Sequence, residues 1–151
     1  MKVRILGVGS PAGDDQAGWL VVDALLEAGV GTGERVVVAK LDRPGASLVP
    51  HLERCDWLIL VDAMQGGGTP GEVRHFDEDD WPGYARGVSS HGFGVAEALA
   101  LARALGSLPP RIDLYGIELG TAMPQAEPGP AVRASARHLA QRIAGSVAER
   151  A

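Results

Sequence analysis

Trp57-Leu58-Ile59-Leu60-Val61 is an unbroken apolar run that stops at Asp62. A strand with one wet face alternates apolar and polar residues. A run without alternation reads as a strand covered on both faces, the mark of a parallel sheet with helices above and below it. The chain on either side fits that pattern. Val3 to Val8 is a second short apolar run, ending in Gly7-Val8-Gly9, and is read as the first and central strand. Ala17, Leu20, Val21, Ala24, Leu25 and Ala28 then recur at helical spacing, with Asp14 and Asp15 before them as N-cap candidates. Arg35 to Leu41 holds Val36-Val37-Val38, a strand, and Ala46 to Glu53 is a short helical stretch.

Beyond the decisive run, residues 66–71 are a glycine-rich turn, and Glu72 to Phe76 is a strand of alternating character. Residues 77–90 read as loop. Phe93 to Leu105 is helical, Arg111 to Ile117 is a strand, and residues 119–129 are loop. A final helix runs from Pro130 to Val147, with Val132, Ala136, Leu139, Ile143 and Val147 as its buried stripe. Strands and helices alternate, which makes the class α/β. The expected architecture is a three-layer α/β/α sandwich on a five-stranded, twisted, mainly parallel sheet of phosphorylase/hydrolase-like kind. Val61 connects to Glu72 without a helix, so those two strands are expected to be antiparallel and the sheet mixed. Residues 1–151 are read as a single domain.

Composition narrows the function classes. The net charge of −5 speaks against a nucleic-acid binder, which carries a basic face. No apolar run approaches the roughly 20 residues a bilayer demands. The start of the chain reads as a strand and not as a signal peptide, so a cytoplasmic location is expected. No membrane partner and no nucleic-acid partner are expected, and the expected state is a monomer. The single Cys55 rules out an internal disulfide and a cysteine-rich zinc site, and reads as a small buried residue. His51, His75 and His138 read as surface residues.

Chemistry gathers at the strand ends. In an open parallel sheet, ligands bind outside the carboxyl ends of the strands. Asp14 and Asp15 follow the first strand, Asp42 the second, and Asp62 the third. His91 opens a helix after the fourth, and Glu118 follows the fifth. Taken singly, each has a bland reading: a helix cap, a turn residue, a surface charge. Together they put carboxylates and an imidazole on one edge. Crowded carboxylates repel, and a bound cation relieves that repulsion. Carboxylate oxygens with one imidazole nitrogen suit a divalent transition metal such as nickel or zinc. No Ser or Cys stands beside a convincing base, so an attacking water is the expected nucleophile.

Three segments carry a resemblance. Gly7-Val8-Gly9-Ser10-Pro11-Ala12-Gly13-Asp14-Asp15-Gln16-Ala17-Gly18 is similar to the opening motif of the hydrogenase maturation endopeptidases. Leu58-Ile59-Leu60-Val61-Asp62-Ala63 with Pro70-Gly71-Glu72-Val73 resembles their second motif. Ser89-Ser90-His91-Gly92-Phe93-Gly94, followed by Pro110 and Tyr115-Gly116-Ile117-Glu118, resembles their third. The order and spacing are also similar, over roughly residues 3 to 120.

The resemblance implies an endopeptidase that removes the C-terminal extension of a nickel-loaded [NiFe]-hydrogenase large-subunit precursor. It implies Asp15, Asp62 and His91 as metal ligands and catalytic residues, with Asp14 and Glu118 as additional candidates. It implies Asp42 and Gly45 as substrate-recognition residues within Asp42-Arg43-Pro44-Gly45. The metal is expected to be the nickel of the substrate, with zinc or cadmium as ions the same donors would accept. Ser10 stands where many members have Asn, and Gln16 where Gly is frequent, which points to a distinct subfamily.

Three rival readings remain open at this stage. One is a nucleotide- or phosphate-binding module built on Gly7-x-Gly9, opposed by the negative charge of Asp14 and Asp15 at a helix N-terminus. The second is a non-catalytic assembly chaperone for the large subunit. The third is a peptidase on the same fold whose carboxylates work without a metal.

Overall fold

The structure, a computed structural model, describes residues 1–77, 79–81, 94–120 and 126–150. Five strands form one sheet: β1 (Val3–Gly9), β2 (Val36–Asp42), β3 (Trp57–Met64), β4 (Val73–Phe76) and β5 (Arg111–Glu118). Their order is β2-β1-β3-β5-β4, and all are parallel except β4. The expected mixed α/β sheet is therefore present.

The centre of the sheet is β3 and not β1, which corrects the expectation from sequence. The reason is visible along the strands. In β3 only Asp62 escapes full burial. β1 carries Arg4, whose guanidinium turns outward to the carbonyl oxygens of His51 and Glu53, the second at 2.8 Å. β4 runs opposite to β3, as expected, but does not pair with it. It pairs with β5 and forms the sheet's outer edge, so the connection after β3 steps across β5.

Helices cover both faces. α1 (Ala17–Glu27) and α3 (Pro130–Arg150) lie on the face of Val3, Ile5, Ile59, Val61 and Ile117. α2 (Val95–Ala104) and a 3-10 helix (Gly45–Leu52) cover the face of Leu6, Val8, Leu58, Leu60 and Leu114. The five residues expected to form the buried stripe of α3 are all buried. Pro130 occupies its first position, where a missing N–H costs nothing. The stretch read as helical at residues 46–53 is a 3-10 helix, with Pro50 inside it unable to donate to an α-helical ladder.

Two contacts set the geometry of the sheet's ends. At the carboxyl end, α1 is pressed onto the strands at Gly18. A Cβ there would stand 2.5 Å from the Val61 carbonyl oxygen and 2.6 Å from that of Val8. Both obstacles are backbone, so only glycine fits without displacing the helix. At the amino end, Asp113 on β5 is 4% exposed and is the hub of a polar cluster. Trp57 Nε1 donates to it at 2.7 Å, Arg111 Nε at 3.1 Å, and His75 Nε2 lies 2.6 Å away. His75, read from sequence as a surface residue, is exposed, and its ring stacks on Tyr115 at 4.5 Å. Burial pushes the Asp113 carboxyl up, but the hydrogen bonds from His75 and Trp57 and the charge of Arg111 outweigh it and hold it below the ordinary carboxylate value.

Two outcomes are expected. Gly18→Ala should lower stability by about 1–3 kcal/mol, the usual cost of forcing a methyl into a packed core, read from the urea midpoint. Because the folded pKa of Asp113 is depressed, its contribution is present above the unfolded value of about 3.9 and is lost as pH falls through the folded value. The stability gap between wild type and Asp113→Asn should be widest at neutral pH and close in acid below about pH 4. A gap that does not change with pH would contradict this account.

Candidate active site

β1 is followed on one side by β2 and flanked on the other by β3. The order of the sheet reverses between β1 and β3, and a crevice at their carboxyl ends is where this type of sheet binds ligands. The segment Ser10–Gln16 leaves β1 at this point. It closes as a tight return: the Ser10 N–H donates to the Asp15 carbonyl at 3.3 Å, and residues Gly13–Gln16 form a 3-10 turn. Gly9 admits that return, since a Cβ on it would meet the Asp15 carbonyl oxygen at 2.5 Å.

Neither Asp14 nor Asp15 caps α1 with its side chain, contrary to the cap reading. The two neighbours diverge. Asp14 is 3% exposed, and its two oxygens accept the N–H groups of Gly120 at 2.7 Å and Gly129 at 2.6 Å. The Gly13 N–H adds a bond to the Ala126 carbonyl at 3.1 Å. Asp14 therefore ties the turn after β1 to both ends of the segment between β5 and α3. Asp15 is half-exposed, and its Oδ2 accepts the hydroxyl of the buried Ser10. That bond fixes the carboxylate and leaves Oδ1 for a ligand or a proton.

Asp62 lies within β3, which continues to Met64, and not past its end. It is aligned with Gly116 of β5, half-exposed, and its strand touches the turn that carries Asp15. Glu118 is buried at 3% and occupied: Oε1 accepts from Gly66 and Gly68, each at 2.9 Å, and Oε2 from Gly66 at 3.1 Å. It holds the β3–β4 connection against β5. Asp42 ends β2 in the open, paired with Arg43 at 2.7 Å between two exposed side chains, an interaction worth little to stability. Gly45 starts the 3-10 helix at φ +55°, and the Arg43 N–H bonds the Gly9 carbonyl at 3.0 Å. Asp42-Arg43-Pro44-Gly45 is thereby fastened beside the turn that bears Asp15.

His91 lies outside the described residues. Among the described residues, no three His, Cys, Asp or Glu side chains stand close enough to hold a metal. Among the described residues, the strand-end carboxylates differ in burial. Asp15 and Asp62 flank the switch point half-exposed, while Asp14 and Glu118 serve as backbone anchors. Cys55 is buried before β3, at the opposite end of the sheet, and burial pushes its thiol up. From sequence, Ser10 stood out only as a departure from the family's motif and not as a partner of Asp15. Its role depends on a turn that brings residues 10 and 15 together, and no periodicity signals that.

The chain matches the model of a family described as hydrogenase maturation protease over residues 20–146. It is 30% identical over 120 residues to a hydrogenase expression/formation protein, HupD, of Thiocapsa roseopersicina, covering 78% of this chain and 54% of that protein. It is 27% identical over 120 residues to the hydrogenase 2 maturation protease of Escherichia coli strain K12, covering 78% of this chain and 73% of that one. The chain spans about half the length of the HupD relative. Among solved structures, the hydrogenase maturating endopeptidase HybD from E. coli superposes with a TM-score of 0.85 over 99% of this chain and 93% of that one, at 23% identity, a likeness of fold. The [NiFe] hydrogenase maturation protease HycI from Thermococcus kodakarensis KOD1 gives a TM-score of 0.76 at 27% identity, over 95% and 90% of the two chains.

The buried and half-exposed carboxylates should separate in a thermal melt. Asp14→Ala and Glu118→Ala should each cost about 1.5–3 kcal/mol, the range for hydrogen bonds to a charged acceptor. Asp15→Asn, whose amide oxygen can still accept from Ser10, should leave the midpoint nearly unchanged. Equal losses in all three would contradict this division.

Proposed function

The chain belongs to the hydrogenase maturation protease family, and from that premise we propose that it is an endopeptidase that cleaves the C-terminal extension of a nickel-loaded hydrogenase large-subunit precursor. The observation that carries the reading is the placement of Asp15 and Asp62 on either side of the switch point, each half-exposed. A carboxylate kept only for stability would be expected to be buried and filled, as Asp14 and Glu118 are. Asp15 is instead oriented by Ser10 and left open on its other oxygen.

Two carboxylate oxygens are donors suited to a divalent ion, and His91 completes the set by the resemblance of Ser89-Ser90-His91-Gly92 to the family's third motif. The nickel enters as part of the substrate and is recognised by this donor set. Zinc or cadmium fits the same donors. Held beside a peptide, such an ion polarises a carbonyl and lowers the pKa of water. The chain's own part is to orient and to move a proton. Ser10 fixes the Asp15 carboxylate, Asp15 or Asp62 accepts the proton of the attacking water, and Asp42-Arg43-Pro44-Gly45 meets the substrate beside them. Ser10 is disfavoured as a nucleophile, because it is 3% exposed and its hydroxyl is committed to Asp15. No helix among the described residues is long and apolar enough to cross a membrane.

Precursor processing followed by a mobility shift tests this. Asp15→Asn, Asp62→Asn and His91→Ala should each slow cleavage by a factor of about 10² or more, the usual share of a general acid or base. A chaperone without protease activity would release no C-terminal peptide even as wild type. A metal-free peptidase would cut a nickel-free precursor at the same rate, chelator or not.

A further inference from the structure

We infer that the open edge of β2 receives the substrate as an added strand and leads it to the site; this rests on the endopeptidase reading above. β2 is a terminal strand of the sheet. Its register with β1 runs from Val36 opposite Val3 to Asp42 opposite Gly9. The Val3 N–H donates to the Arg35 carbonyl at 2.8 Å, and the Arg43 N–H to the Gly9 carbonyl at 3.0 Å. The odd-numbered residues of β2 therefore turn their backbone groups to β1. Val36, Val38, Lys40 and Asp42 turn theirs outward. Among the described residues, none of these four N–H groups has a backbone partner outside the sheet.

The edge is not open along its whole length. A Cβ at Gly31 would lie 2.8 Å from Val38 Cγ2 and 3.7 Å from the Val38 nitrogen, so the loop after α1 shelters the first half. Lys40 and Asp42 form the open half. Edge strands are commonly blunted by proline, a bulge or a charge laid across them. Here Lys40 is drawn onto α1 by Asp23 at 2.9 Å, away from the edge, and the edge holds no proline.

Direction decides the occupant. β2 is parallel to β1 and β3, so its open half is the one that reaches the site. A strand added outside β2 lies about two and a half strand spacings from the crevice between β1 and β3, or roughly 12 Å. That is about four residues of extended chain at 3.3 Å each. A peptide bonded to Lys40 and Asp42 and turning across Asp42-Arg43-Pro44-Gly45 would bring its next few residues to Asp15 and Asp62. Extended peptides are recognised in this way through main-chain bonds, which tolerate varied side chains. The occupant is thus the extended C-terminal segment of the precursor next to the bond that is cut.

The test pairs amide hydrogen exchange with kinetics, using the full chain and the nickel-loaded precursor. Slowed exchange at the Lys40 and Asp42 amides on adding precursor is the expected result. Lys40→Pro, which deletes an outward N–H and no bond to β1, should raise KM about tenfold with kcat nearly unchanged, the size of one or two lost hydrogen bonds. Lys40→Ala keeps the N–H and separates loss of the side chain from loss of the donor: its KM should rise clearly less than that of Lys40→Pro, and an equal rise would overturn the inference. Normal cleavage with no protection at these amides would overturn the inference alone. Protection that grows with protein concentration without precursor would assign the edge to a second copy and also overturn it. No binding and no cleavage by wild type would sink the endopeptidase reading together with this one.

Discussion

The contact on which the site depends is the approach of Gly18 to the carbonyl oxygens of Val8 and Val61. It presses the first turn of α1 against the carboxyl ends of β1 and β3 at once. The segment between β1 and α1 then has only a short, closed path, and Ser10–Gln16 takes it as a tight return under the helix. Asp15 is carried on that return over the switch point, where Asp62 rises from β3. A side chain at residue 18 would lift the helix and shift the turn that carries Asp15. One small residue thus couples packing to the geometry of the site.

Around this contact the acidic residues divide into two kinds. Asp14 and Glu118 are buried and saturated by backbone N–H groups, a use that satisfies donors the loops would otherwise leave unpaired. Each ties down a loop: Asp14 the segment before α3, Glu118 the connection from β3 to β4. Asp15 and Asp62 are held by the elements so anchored but keep part of their surface open. The opposite end of the sheet has its own hub at Asp113, where Trp57, Arg111 and His75 converge and lock β3, β4 and β5 in register. These buried carboxylates hold the loops and the strand ends in place.

Much of this was legible in the chain. The apolar run at 57–61 announced a strand buried on both faces because nothing in it tolerates water. The stripe of α3 and the alternation of strand and helix followed from periodicity alone. The motifs placed Asp15 and Asp62 at the carboxyl ends of neighbouring strands, where the structure has them. Other features were hidden. The adjacent Asp14 and Asp15 read alike, since their identity does not show which one points into the protein. His75 is at the surface as read, but its pairing with Asp113 was out of view, because that partner lies on a strand far along the chain. The pairing of β4 with β5 was also out of view, since sequence neighbours usually pair and here the connection crosses a strand.

By itself the sequence determined the class of fold, the buried faces and which carboxylates stand at strand ends, because these follow from hydrophobic periodicity and from the order of residues along each strand. Only the tertiary structure decided the strand order, the assignment of each carboxylate to an anchor or an open position, and the exposed half of β2. Those depend on which backbone N–H groups arrive beside a given side chain, and that is set by contacts between residues distant in the chain.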